Sequence, residues 1–304
     1  MPPLHVGELA ALTTAVCWAS SSLMFTRAGR RIGALSLNLL RLLFAFAFAA
    51  ALSTVRRGAP LPLDATPEQA LWLALSGLVG MVLGDLCLFR AFVTIGPRLS
   101  LLIMATAPLM TAVLGWLALG ERLTAVDLLG MALTLAGIAW VLLAQPAPAS
   151  PVGQDPKDMS YGTGILLALG GALGQAGGLV LSKYGMADYD AFAATQIRIF
   201  AGIVGFCALY FAVGWWPQFR AALRDRQAVR LAAAGSLLGP FLGVSFSLLA
   251  VQNTAAGVAA SIMAISPVLV IPLSAWLERD KIRWPDLAGA VLAIAGVALL
   301  FRDP

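Results

Sequence analysis

From Gly7 to Phe301 the chain is one apolar block after another, each close to the ~20 residues a helix needs to cross ~30 Å of hydrocarbon. Ten such blocks stand at about 8–27, 34–54, 70–93, 98–118, 124–143, 162–183, 191–213, 230–251, 256–277 and 285–301. They are continuously apolar and rich in Leu and Ala, without the period-two alternation of a membrane barrel strand, so they read as helices. Only 12% of the residues are charged, about half of what a soluble domain carries, which excludes a water-soluble enzyme or scaffold.

The N-terminus, MPPLHVGELAALTTAV, lacks a basic region and carries Glu8 ahead of its apolar run, so a cleaved secretory signal is not expected. Cys17, Cys87 and Cys207 fall inside predicted spans at scattered spacings. They read as small buried hydrophobes, with no disulfide framework and no metal site implied. The net charge of +5 is spread over loops without aromatic interleaving, so nucleic acid is not an expected partner. His5, the only histidine, reads as a solvated terminal residue.

The chain repeats itself. Shifted by 159 residues, GMVLGDLCLF, IMATAPLM and DLLGMALTLAGIA fall on GPFLGVSFSL, IMAISPVL and DLAGAVLAIAGVA without a gap. Between Gly80 and Ala139 sixteen of sixty positions are identical, and Pro108 lands on Pro267, Asp127 on Asp286 and Gly137 on Gly296. The earlier spans match more weakly at a shift of 157, which puts Arg41 on Arg198. QPAPASPVGQDPKDMS, between the copies, has the Pro-rich polar composition of a linker. The expected organisation is a first repeat over 1–144, a linker over 145–160 and a second repeat over 161–304. Five spans per copy force the second into the membrane from the opposite side. The predicted fold is therefore an all-α polytopic membrane protein, ten transmembrane helices in two inverted five-helix repeats, an arrangement suited to a central site opened alternately to each side.

The stretches LGDLCLFRAFVTIGPRLSLLIMATAPLMTAVLGWLALGERLTAVDLLGMALTLAGI and AASIMAISPVLVIPLSAWLERDKIRWPDLAGAVLAIAGV give the chain its kinship. It resembles the drug/metabolite transporter superfamily, specifically the ten-helix EamA-type members, with the general layout of the bacterial aromatic amino-acid exporters. The resemblance implies a transporter in the bacterial inner membrane with cytoplasmic termini, no cofactor, and a monomeric or homodimeric state. GERLT in the first copy becomes RDKIR in the second, so that feature is not kept symmetrically.

Small residues let helices approach closely in lipid, where apolar burial alone gives no drive to associate. Ser76, Gly80 and Gly84 line one face of span three, Gly235, Gly239 and Gly243 the matching face of span eight, and Gly170, Gly174 and Gly178 a face of span six. These stripes are either sliding surfaces or simply tight contacts. Pro108 and Pro267 fall mid-span, where each removes a donor and frees the carbonyl four residues earlier, Met104 or Met263. Such interruptions often flank a transported solute, and equally often are kinks fitted by neighbouring helices.

Asp85 and Arg90 sit five residues apart in LGDLCLFRAF, about 140° apart around a helix, so each needs its own partner. Arg90 is placed to snorkel to the interface. A carboxylate near mid-bilayer costs at least ~2.5 kcal/mol and is kept only when paired, protonated or opened to a wet cavity. Asp85 is thus a proton or substrate-amine site, or else part of a structural ion pair with, for example, Arg41. Val244 takes its place in the second copy. Arg41 and Arg198, about seven residues or ~10 Å into their spans, read as structural charges, with carboxylate binding as the alternative. Trp18, Ser21 and Gln175 lie at comparable depths in spans one and six and combine a ring with hydrogen-bonding groups, so they join Asp85, Met104 and Met263 as candidate substrate-lining residues. Serines also bond helix to helix.

The leading function is a secondary carrier exporting amino acids or similar small metabolites. No GxxxxGK[ST] loop is present to bind a nucleotide. An extruder of drug-like cations or lipids is the alternative and would need a strongly acidic pocket. A membrane enzyme is not expected, since the sequence offers no Cys/His pair and no paired intramembrane carboxylates. The loop charges oppose the orientation the resemblance implies. With the termini inside, the inner segments hold Arg56, Arg57, Arg122, Lys183 and Arg302, whereas the outer loops hold Arg27, Arg30, Arg31, Arg98, Lys157, Arg220, Arg224, Arg226, Arg230, Arg279, Lys281 and Arg283.

Overall fold

The structure is a computed structural model that describes residues 5–144, 161–278 and 284–301. The expected linker lies outside the described residues. Ten apolar helical segments follow one another: α1 (Val6–Ile32), α2 (Ala34–Arg57), α3 (Pro67–Ile95), α4 (Pro97–Met104 and Ala107–Leu119), α5 (Ala125–Ala144), α6 (Tyr161–Met186), α7 (Ala191–Val213), α8 (Arg226–Asn253), α9 (Ala256–Met263 and Ser266–Glu278) and α10 (Trp284–Leu300). α10 is the shortest, yet its 17 residues still reach about 25 Å. No strand occurs among the described residues.

Local chemistry sets several ends. Pro67 occupies the first turn of α3, and Thr66 and Gln69 cap each other's backbone N–H there. Asp225 caps α8 by accepting from the N–H groups of Gln227 and Ala228. These caps start α3 and α8 a few residues before their apolar runs. A short helix not expected from the sequence, Trp216–Ala222, bridges α7 and α8, and its Trp216 and Phe219 rings pack on Tyr210 at 5.4 and 5.7 Å.

Both proline breaks appear where expected. α4 is interrupted at Ala105 and Thr106 and α9 at Ala264 and Ile265. The Met263 carbonyl is not left free, however, because the Ser266 hydroxyl donates to it at 2.8 Å. In α4 the Thr106 hydroxyl donates to the Ile103 carbonyl at 2.7 Å. A second pair of irregularities had no expectation attached. Leu78–Gly84 in α3 and Leu237–Gly243 in α8 wind as wider π-turns at equivalent repeat positions. Pro240 removes a donor in the second, and at the end of each turn a glycine, Gly84 or Gly243, comes so close to the carbonyl five residues back that a Cβ would sit 3.3 or 3.1 Å from it.

The contacts establish the inversion. α6 runs against α3 with Gly178 at Gly80, Gly174 at Gly84 and Gly164 at Thr94, so the pair is antiparallel. α1 runs against α8 in the same way, with Phe25 at Gly235, Ser21 at Gly239 and Trp18 at Gly243. α1 and α3 share a direction, being separated by two turns of the chain, so α6 points opposite to α1. α4 crosses α9 at Gly257 and Ala112, and α5 pairs with α10 through Gly130, Gly137, Gly289 and Gly296. The face where α1 begins, called the near face, therefore also holds the starts of α3, α5, α7 and α9 and the ends of α2, α4, α6, α8 and α10.

Candidate functional site

Exposed side chains on α6 fall into two groups. Leu166, Leu173 and Tyr184 form one stripe, 69%, 53% and 51% exposed, on the side that meets lipid. Gln175 is also exposed, yet at about 100° per residue it sits roughly 180° around the helix from Leu166 and Leu173. A polar side chain open on the face away from lipid marks an interior space. Trp18 takes the equivalent position in α1, opposite the exposed Leu9 and Val16, and its indole lies against Gly243. One amide and one indole thus face inward from matching places in the two repeats.

The remaining candidates distribute around this space. The Met104 sulfur lies against Gly171 on the inner side of α6, and Met263, half-buried, packs with the cluster formed by α9, α10 and α5. Ser21 is fully buried between α1 and α8, where its hydroxyl donates to the Trp18 carbonyl at 3.2 Å and faces Gly239. It supports Trp18 from behind and is not exposed to the interior space. Pro108 is buried in the second piece of α4, and Pro267 is half-buried. Arg90 lies on the lipid stripe of α3 with Leu83 and Val93, consistent with snorkelling.

Asp85 is paired with Arg41, and both side chains are largely buried. The Phe25 ring lies 5.9 Å from the Arg41 guanidinium. Of the two readings of Asp85 open from the sequence, the geometry realises the ion pair with Arg41. Arg198, the repeat counterpart of Arg41, has no such partner. It is 5% exposed, and its Nε and Nη1 make no hydrogen bond.

The near face carries a clamp that sequence reasoning missed. Glu121, just past α4, meets Lys183 near the end of α6 at 2.6 Å and accepts the N–H of Ala256 at 2.8 Å. Lys183 also donates to the Thr254 carbonyl at 2.6 Å. Four elements of both repeats are tied at one point. Tyr189 to Asp64 at 3.0 Å and Gln196 to the Pro60 carbonyl at 2.7 Å add further links across the repeats. On the far face Arg31 and Asp225 form an ion pair at 2.8 Å, and Asp280, the repeat counterpart of Glu121, lies outside the described residues. Thr26 and Pro97 stand at the repeat positions of Lys183 and Ala256. Nothing in the sequence brought Lys183 to Glu121.

The EamA-like transporter family matches residues 5–143 and again 162–302, once over each repeat. The chain belongs to the EamA-like transporter family. No curated protein matches it. Among solved structures, one described as "Crystal structure of protein" is similar at 19% identity with a TM-score of 0.74, covering 96% of this chain and 94% of that one, which speaks to the fold. As an EamA-like member of the drug/metabolite transporter superfamily, the protein is a multi-pass membrane transporter.

Proposed function

We propose that this EamA-like protein is a secondary carrier that exports amino acids or similar small metabolites across a bacterial inner membrane by alternating access, with its termini in the cytoplasm. The observation that carries the reading is an inverted repeat whose two halves are tied on the near face by the Glu121–Lys183 clamp, with Gln175 exposed on the helix face away from lipid. Trp18, Gln175, Asp85, Met104 and Met263 line the passage, and Ser21 fixes the Trp18 turn. A cation extruder fits less well, because the carboxylate it would use is already neutralised by Arg41.

Purified protein in liposomes, assayed for uptake and counterflow over a panel of amino acids and organic cations with and without a pH difference, tests this. Saturable movement of amino acids is expected, and movement of cations alone would overturn it. If Asp85 couples protons, Asp85→Asn abolishes accumulation driven by the pH difference and leaves counterflow intact, whereas full accumulation removes the coupling role. The surplus of Arg and Lys on the far face runs against the proposed orientation. A reporter fused after Pro304 decides it, since periplasmic activity would reverse the direction of transport.

A further inference from the structure

Arg198 is the one intramembrane arginine of the two repeat-related sites that has no acid beside it. α3 and α7 both start at the near face and run in parallel. The Arg198 backbone carbonyl lies against Gly77, whereas its Nη2 lies at Gly80, where a Cβ would be 3.5 Å away. Three residues along α3 are about 4.5 Å, so the side chain extends along the helix toward mid-bilayer and away from the nearer interface. This is the reverse of snorkelling. Gly80 itself faces Gly178 and Gly174 of α6, which flank the inward-facing Gln175. The guanidinium therefore ends beside Gly80, where α3 meets α6 and α7.

The charge balance has the same sense. Around mid-bilayer Arg41 and Asp85 cancel, and Arg198 remains a positive charge with no acid partner among the described residues and two nitrogens, Nε and Nη1, without a hydrogen bond. Leaving such a group without a counter-charge is expensive in lipid, and guanidinium geometry suits a planar anion bound through two parallel hydrogen bonds. The repeat equivalent of Asp85 is Val244, so the protein itself supplies no carboxylate at the matching place.

We infer that Arg198 binds the carboxylate of the transported solute, reached from the Gln175 side of the α3–α6–α7 junction. This rests on the carrier reading above and names the chemical class of its solute: a small molecule bearing a free carboxylate. The amide of Gln175, with a donor and an acceptor, takes the polar remainder of the solute. The neutralised Asp85–Arg41 pair leaves the overall site favourable to a net negative or zwitterionic ligand.

The test uses full-length purified protein in detergent, with binding followed by ligand-induced thermal stabilisation against a panel of amino acids, their carboxamides and their decarboxylated amines. Acids are expected to bind about ten- to a hundred-fold more tightly than the corresponding amides, the range for a charge-assisted hydrogen-bonded pair. Arg198→Gln should remove that preference, bringing the acid-to-amide ratio near one, and Arg198→Lys should restore part of it. Should Arg198→Gln fail to give a monodisperse protein, the acid-to-amide ratio of the unmodified protein decides alone. A ratio near one, or an acid preference that survives in Arg198→Gln, would overturn the proposal. So would displacement of the bound acid by phosphatidylglycerol through Arg198, which would make the ligand a lipid headgroup. In liposomes the failures separate: no saturable movement of any solute defeats the carrier itself, whereas equal movement of acids, amides and amines leaves the carrier standing and defeats only the role of Arg198.

Discussion

Two helix crossings related by the repeat have been built from different materials. Where α1 meets α8, the side chains of Trp18, Ser21 and Phe25 fill the space over Gly243, Gly239 and Gly235. Where α6 meets α3, glycine lies on glycine, and a Cβ on Gly174 or Gly178 would come within 2.7 or 2.8 Å of a backbone Cα. Beside the first, the Phe25 ring lies over Arg41, whose charge Asp85 of α3 compensates, and beside the second, at Gly80, lies Arg198, which makes no ion pair among the described residues. The difference teaches that the inverted repeat fixes the backbone but not the chemistry. One crossing is closed by side chains, and the other brings backbones together beside a cation with no acid partner among the described residues.

The largest break in this comparison comes from Asp85→Ala. It strands Arg41 in the buried site and is expected to cost about 3–5 kcal/mol, because an unpaired buried charge is worse than no pair. Thermal unfolding in detergent measures it, and Arg41→Met in the same chain should recover much of the loss. Next is Gly178→Ala, which pushes a methyl onto the Gly80 backbone and should cost about 1–3 kcal/mol, against no more than about 1 kcal/mol for Gly235→Ala, where the Phe25 ring can swing aside. Equal losses in the two variants would erase the distinction between the crossings.

Glu121→Gln removes the charge that holds Lys183 and weakens the acceptor for the Ala256 N–H. A loss of about 1.5 kcal/mol should raise the near-face-open population roughly ten-fold, read as faster near-face labelling of an interior cysteine. The smallest effect concerns the far face. The Ala228 N–H and then the Arg31 guanidinium hold the Asp225 carboxyl below its ordinary range. A depressed folded value means the contribution is present above the ordinary carboxylate pKa of about 3.9 and is lost as the pH falls through the lower folded value. Far-face mobility, followed by a spin label at Gln227→Cys, should therefore stay constant from pH 8 to 5 and rise only under stronger acid. Asp225→Asn should remove that acid-dependent rise.

Much of the architecture was legible because lipid imposes it. Span length, continuous apolarity and the ungapped shift of 159 residues located the helices and their inversion, and Pro108 and Pro267 located two breaks, since a missing donor acts locally. The π-turns at Leu78–Gly84 and Leu237–Gly243 were not, because only one contains a proline and the other depends on how Gly84 meets Gly174. Asp85 and Arg41 could be named as possible partners, but 44 residues of separation left the pairing to tertiary packing. Ser21 looked like Trp18 in sequence, yet one turn of helix phase hides the first and opens the second. The Glu121–Lys183 clamp joins both repeats, so no local pattern announced it.

The central claim is that Gln175 faces an interior chamber open to one side of the membrane at a time. Its most direct test is Gln175→Cys in a chain with Cys17, Cys87 and Cys207 replaced by Ser, labelled by a membrane-impermeant thiol reagent from each face of sided vesicles. Labelling from the far face, with near-face labelling rising when Glu121→Gln is added, is the expected result. A cysteine that reacts from neither face, or reacts equally from both at once, would contradict the account.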